Sequence, residues 1–426
     1  MHKRLALTLL IVSLSLQAQT SVSGSVSGVW SAENAPYQLT GNVVVEINDT
    51  LIIHPQTVID FGGQYELRVR GQLLADSSTF INGGEVFGEH GHVVITNSYF
   101  RNFVEGLGFY GGSAHIHSST IMDTEETAIT FSGVDTASVV SSTVKNSGDY
   151  GIKLVQNDAV SILNNHLTGN STSDTNHPAL FIDSCSPTEI SGNIIEDNHA
   201  QGVGVWTLTT TAAPRITNNI IRRNFTGMTL VNAPAHVEGN IIVANYQEGN
   251  ANSGAGIYAG YPSSTGVVMN NYIAGNYYGV SNINSAALNM GDMVNDYPGD
   301  DGMNIIIDNS YDGTTWNIWN GTSNTLMAQN NYWPGMTSAE IDAAIYDNEE
   351  GGGEVLTEPS YLEALPVPPD VNSDTQVNVL DVVQVIESIL SGTFDDHITF
   401  YLSDMNQDYD VDINDVVFLV ELIVEG

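Results

Sequence analysis

The chain has 426 residues, 42% hydrophobic and 14% charged, and its 10 Lys and Arg against 49 Asp and Glu give a formal charge of −39. That excess excludes nucleic acid as a partner, because its phosphates would be repelled, and it restricts anionic polymers to a local basic patch or bridging cations. Cys185 is the single cysteine, so no intramolecular disulfide forms, and its apolar neighbours predict a buried, inert thiol.

In chain order, His2-Lys3-Arg4, the apolar stretch Leu5 to Leu16 and the small Ala18 form the pattern of a secretory signal over residues 1–18. The mature chain is expected to begin near Gln19 and to be secreted, extracellular or held at a cell surface. No later apolar run approaches the roughly 18 residues needed to span a bilayer. Residues 19–74 hold short strands, Val43-Val44-Val45, Leu51-Ile52-Ile53 and Leu67-Arg68-Val69, read as N-terminal capping coils.

Ten windows then superpose on a Ser or Asn: Ser78, Ser98, Ser119, Ser142, Asn165, Asn193, Asn219, Asn240, Asn271 and Asn331. Each has an apolar residue three positions before it, from Ala75 to Ala328, and another two after it, from Phe80 to Trp333. Apart from the long step between Asn271 and Asn331, successive positions are spaced closely and similarly enough for one short coil per repeat. A single coil cannot bury its apolar side alone. The pattern therefore predicts a right-handed parallel β-helix, an all-β solenoid over residues 19–365, with strands of successive coils about 4.8 Å apart. Stacking makes the apolar residues inward columns and lines up the Ser and Asn at a bend, where Asn tolerates left-handed backbone and carries both a donor and an acceptor.

Between Asn271 and Asn331 lies a Gly/Asp/Asn-rich excursion, Asn289 to Asp301, with an irregular coil expected around Ile305-Ile306-Ile307. The last coil ends at Tyr332-Trp333-Pro334-Gly335, followed by a short helix from Ser338 and a closing strand near Glu354-Val355-Leu356. Pro366, Pro368 and Pro369 make a stiff linker over 366–369.

The C-terminal region, 370–426, contains two segments that match position by position. Asp370, Asn372, Asp374, Gln376, Asn378 and Asp381 superpose on Asp404, Asn406, Asp408, Asp410, Asp412 and Asp415. Side-chain oxygens at loop positions 1, 3, 5, 9 and 12, with the backbone carbonyl of position 7, have the spacing that surrounds Ca²⁺ with hard ligands. Each loop runs into an apolar helix, Val382 to Leu390 and Val416 to Val424, and neither is read as preceded by one. Position 6, normally Gly because the loop turns there with positive φ, holds Thr375 and Tyr409, for a strain of about 1 kcal/mol each and a weakened calcium affinity. The arrangement resembles a small α-helical type I dockerin domain. That resemblance implies calcium as cofactor and a cohesin-bearing scaffold or surface protein as partner. Positions 10 and 11, often Ser-Thr in cohesin-reading dockerins, are Val379-Leu380 and Ile413-Asn414, which suits a different cohesin or an apolar docking surface.

The repeat region, about Val43 to Leu365, resembles the parallel β-helix family that includes pectate lyases and polygalacturonases. The resemblance implies binding or degradation of a polysaccharide, by lyase or glycoside hydrolase chemistry, with a non-catalytic adhesin or structural surface module as the alternative. The residue clusters of those enzymes are missing; Gly91-His92 and Arg215-Ile216 are isolated fragments.

Candidates follow from the register. Four residues before the ladder, successive coils present Glu189, Arg215 and His236, with Glu238 two residues before its own ladder Asn. An acid, a cation and an imidazole together suit proton abstraction beside a uronic carboxylate; a ladder of weak surface ion pairs is the plainer reading. After the ladder, Glu196 falls near Arg222 and Asp197 near Arg223. Strand alternation sends Lys153, Phe181, Trp206 and Tyr258 outward as a row for stacking on sugar rings, unless the loops Ser171 to His177 and Leu208 to Ala213 cover them. His115 and His117 flank Ile116 without a third metal ligand in register and read as exposed polar residues.

Overall fold

The computed structural model describes residues 19–425 apart from 174, 186–187, 207–212, 251–252, 361–367 and 395. The signal segment 1–18, half of the 366–369 linker and most of the Leu208–Ala213 loop thus lie outside the described residues.

The chain winds into parallel coils with three flat faces. Face 1 is an eleven-stranded sheet running from Gly28–Trp30 to Val267–Met269, and it continues through bridges from Val267 to Asn289 and on to Met327. Face 2 runs from Val58–Asp60 to Ile305–Ile307, and face 3 from Glu66–Val69 to Ile345–Tyr346. The strand Thr20–Ser25 comes first and pairs with the long strand Tyr37–Val45, which pairs in turn with the next strand of face 2 through Tyr37 and of face 3 through Val43. Residues 20–74 therefore wind like the rest of the solenoid. Alternation explains the burial: Ile95, Ile116, Val139, Ile162, Ile190 and Ile216 are register partners pointing inward, each fully buried, while their neighbours along the strand face outward.

The Ser/Asn ladder is continuous. Ser98 Oγ accepts from the Ser78 amide at 3.1 Å, and Asn193 Oδ1 accepts from both the Asn165 amide at 2.9 Å and Asn165 Nδ2 at 3.0 Å. Two details differ from the sequence reading. The left-handed residue is the one before each ladder position, such as Asn164, Gly192 and Asn218 at φ 55, 67 and 55, so the ladder Asn serves as a hydrogen-bond post and its neighbour makes the turn. The irregular coil also contributes a rung of its own, Asn304, between Asn271 and Asn331. A second ladder, Ser147, Asn170, Asn198, Asn224, Asn245, Asn276, Asn309 and Asn317, runs along the next bend.

Helix α1, Ser338–Ala343, begins at a capping box between Thr337 and Glu340, and after it Val355–Leu356 pairs with Leu326–Met327 as the closing strand. The C-terminal module contains α2 (Val379–Ser391), α3 (His397–Ser403) and α4 (Ile413–Glu425). Helix α3 leads directly into the second loop, against the expectation that no helix precedes it. Helix α2 starts three residues early because Asn378 caps it, accepting from the Leu380 amide at 2.9 Å. Among the described residues no helix is long and apolar enough to cross a membrane.

Candidate functional site

Glu189, Arg215 and His236 are register partners on adjacent strands of face 1, and Thr217 pairs with Glu238 on the next. His236 Nε2 and Glu238 Oε2 are 2.8 Å apart, and Arg215 Nη2 is 3.5 Å from the same oxygen. The Arg215 side chain is 59% exposed, and none of the four residues lines the clefts described below. Ion pairs on an open strand surface are weak.

Lys153, Phe181, Trp206 and Tyr258 do not form one exposed row. Phe181 pairs in register with Lys153 and Gly204, whereas Trp206 pairs with Asp183, two positions further along. Phe181 is buried at 5% exposure, because the Tyr150 and Trp206 rings cover it with centroids 5.1 and 5.2 Å away. The Ser171–His177 loop adds to this cover: Ser171 Oγ donates to the His177 carbonyl, and the imidazole lies on Tyr150 at 4.3 Å. Trp206 remains partly open, and Tyr258 stands further along the solenoid between Thr229 and Ser281.

Lys153 instead belongs to a cleft of about 250 Å³ on face 3, lined by Glu85, Glu105, Glu126, Asp149, Tyr110, Tyr150 and His177. Glu85 lies flat across the next coil, where a Cβ on Gly108 would collide with its carboxylate oxygen. Burial pushes the Glu85 carboxyl up to about 8, with Glu105 and Glu66 adding repulsion that Arg68 only partly offsets. Burial also raises Glu105, helped by Glu126 and Glu66, and raises the Tyr110 hydroxyl, helped by Glu85 and Glu105. At the other end Lys153 Nζ sits 4.9 Å from the Tyr150 ring, and His177 Nδ1 is 3.3 Å from Asp149 Oδ1. The cleft thus offers a carboxylic acid that keeps its proton at neutral pH, a cation and an acid–imidazole pair. The sequence reading missed it, although Glu85, Glu105, Glu126 and Asp149 each follow a ladder Ser by seven positions.

A second cleft on face 3, about 310 Å³, is lined by Tyr258, Tyr278, Trp319, Ser281, Ser253 and Thr226. Tyr278 meets Trp319 edge-on at 5.7 Å, and Trp319 stacks on Tyr346 at 3.9 Å. Aromatic rings with hydroxyls at their edges match the apolar faces and polar rims of sugars. His115 Nδ1 is 2.9 Å from Ser138 Oγ, and the His115 and His117 rings face each other at 6.4 Å.

The two C-terminal loops share their hydrogen bonds. Asp370 accepts from the Asp374 and Thr375 amides as Asp404 does from Asp408 and Tyr409. Asp381 accepts from Asn372 and Asn378 as Asp415 does from Asn406 and Asp412. Thr375 and Tyr409 take positive φ, 71 and 65, as position 6 requires. Asn372 Nδ2 donates to Asp374 and Asn406 Nδ2 to Asp408, and among the described residues no three acidic, His or Cys side chains converge as a metal cage. The donor chemistry nonetheless fits a hard cation: Asp381 and Asp415 are fully buried. Burial, with Asp415 and Asp408 adding repulsion, pushes the Asp404 carboxyl up to about 7. Charge of that kind is what a divalent ion neutralises.

Together these features define a right-handed parallel β-helix followed by a small helical module that resembles a type I dockerin. Residues 72–221 match the family of the right-handed β-helix region and residues 368–423 match the dockerin type I domain. No curated protein gives a significant match. Among solved structures, the periplasmic alginate epimerase AlgG is similar at 14% identity and TM-score 0.47, covering 79% of this chain and 82% of that one. The mannuronan C-5 epimerase AlgE6 A-module of Azotobacter vinelandii gives 12% identity and TM-score 0.40, covering 83% and 92%. The Dettilon tailspike protein gives 12% and 0.40, covering 66% and 61%. At these scores the likenesses carry no argument about chemistry.

Proposed function

We propose that this is an extracellular, dockerin-tethered protein that takes a neutral polysaccharide along face 3 and cleaves it by proton transfer in the acidic cleft. The carrying observation is Glu85, folded over Gly108 among other carboxylates with its carboxyl pushed up to about 8. A half-buried acid of this kind can protonate a departing glycosidic oxygen, while Asp149 with its paired His177 accepts a proton from the attacking water. A cleft with several carboxylates and one Lys repels polyuronates, which favours neutral sugars. The aromatic cleft around Tyr258, Tyr278 and Trp319 would hold neighbouring sugar units. The Arg215, His236, Glu238 and Glu189 set reads as surface ion pairing.

Calcium would be held by the side chains of Asp370, Asn372, Asp374, Asn378 and Asp381 with the Gln376 carbonyl, and by the matching second set with the Asp410 carbonyl. When bound, the ion neutralises the loop carboxylates. Asn378 and Asp381 fix the start of α2 through their own hydrogen bonds, leaving the module set for a cohesin-bearing partner.

The test is a panel of neutral and uronic glycans, followed by reducing ends and by the absorbance of unsaturated products. Reducing ends from a neutral glycan are expected, falling about 100-fold or more in Glu85→Gln and unchanged in Arg215→Ala. Unsaturated products from a uronic glycan would replace this reading with a lyase. Binding without any product would favour the non-catalytic adhesin, a reading that the aromatic and hydroxylic lining of the second cleft supports.

A further inference from the structure

The two calcium loops are near duplicates, and where they differ the second one touches the solenoid. Position 6 is exposed Thr375 in the first loop and half-buried Tyr409 in the second; position 7 is exposed Gln376 in the first and Asp410 in the second. Tyr409 lies on the backbone of Gly275, where a Cβ would strike its ring. The Asp410 carboxylate is paired with the Arg222 guanidinium and lies 3.4 Å from Arg223 Nη1. Alongside, Tyr272 of face 2 meets Phe400 and Tyr401 of α3 at 5.9 and 5.7 Å.

The solenoid carries a matching change in its own sequence. One outward column of face 2 reads Thr120, Thr143 and His166 and then turns apolar as Ile194, Ile220, Ile241, Tyr272 and Ile305. An outward column on a solvated sheet face is normally polar. Here Ile220, Ile241, Tyr272 and Ile305 instead share a buried cluster with Val371, Phe400, Leu402 and Val411 of the module. The apolar run begins where the module lies.

We infer that the dockerin is docked on face 2 as a fixed part of the β-helix, with its second calcium loop as the contact, so that calcium binding in that loop and docking strengthen each other. The Tyr at the usual Gly position is then an anchor whose strained backbone is offset by burial on Gly275. Ligands flank it at Asp408 and Asp412, so ordering the loop presents Tyr409 and Asp410 to the solenoid, and docking in turn preorders the ligands. The contact uses α3 and the second loop, and it leaves Leu380, Val383, Leu390, Val417, Phe418 and Leu422 exposed on α2 and α4. A partner can therefore engage those helices while the module stays seated.

The coupling is measured by calcium titration calorimetry on the full chain. Arg222→Gln combined with Arg223→Gln, far in sequence from every calcium ligand, is expected to weaken one of two sites by roughly five-fold or more and to leave the other unchanged. Arg101→Gln, which breaks the exposed Arg101–Asp123 pair elsewhere on face 2, leaves both sites unchanged. Arg222 and Arg223 also hold Glu196 and Asp197, so Tyr409→Gly provides a second reading that spares the solenoid. A loop acting alone would bind calcium more tightly once the positive-φ strain is relieved; a docked loop loses its anchor and binds more weakly. Unchanged affinities in the double Arg variant, or tighter binding in Tyr409→Gly, overturn the inference.

Discussion

Glu85 owes its chemistry to a glycine on the neighbouring coil: with no Cβ at position 108, the carboxyl folds onto the sheet at the wall of the cleft and is half-buried there. Its folded carboxyl titrates near 8 rather than near 4.5, so the native state keeps a proton that the unfolded chain releases. Stability from this group is therefore lost as pH rises from the unfolded value through about 8. Glu85→Gln has no proton to lose. Thermal scans at a series of pH values should show the variant's melting temperature gaining on the wild type across that window, and no gain at more acid pH. Gly108→Ala should lift the carboxyl off the sheet and lower its titration point, readable by NMR of the Glu85 side chain. At the ladder, Asn219 Nδ2 donates to the Ile190 and Thr217 carbonyls and to Asn240, and its Oδ1 accepts from the Asn193 amide. Asn219→Ala strands several of these groups away from water and should cost about 3 kcal/mol or more in denaturant unfolding, whereas Asn218→Gly, at the left-handed bend, should be close to neutral.

At the level of elements, the coils were legible because the same side chain at the same offset makes the same hydrogen bond in each coil. The second ladder, five residues after the first, is less regular in sequence: the same offset holds Gly83, Phe103 and Thr124 in earlier coils before Ser147 and the Asn residues begin. Asn304 was hidden because the Asn289–Asp301 excursion stretches the interval from Asn271 to Asn331 well beyond one coil. The acidic cleft is hard to see in sequence because its carboxylates sit at or beside the turn into face 3, outside the alternating strand positions. Helix α3 has weak helix formers, Ile398, Thr399, Phe400 and Tyr401; its Asp396 cap and the burial of Phe400 and Leu402 hold it, and neither is visible as periodicity. The calcium loops were legible position by position because a spherical ion dictates its ligand spacing. Their dependence on the ion is open to direct measurement: circular dichroism of the full chain should gain helical signal between chelator and millimolar calcium, while the β signal of the solenoid stays constant.

The whole molecule divides its work by face. Face 3 carries the acidic and aromatic clefts, face 2 seats the dockerin, and face 1 carries the Arg215 ladder of surface charge. The clefts therefore stay open when the module is docked, and a protein held by its exposed α2 and α4 helices would present face 3 without a swinging arm. In the proposed reaction Glu85 delivers the proton that breaks the glycan. The most direct test is the pH profile of reducing-end release from a neutral glycan by the wild type, Glu85→Gln and Arg215→Ala. The wild-type rate is expected to fall as pH passes about 8, Arg215→Ala to follow the same curve, and Glu85→Gln to be inactive throughout. A Glu85→Gln variant with wild-type rates, beside an Arg215→Ala variant without activity, would contradict it.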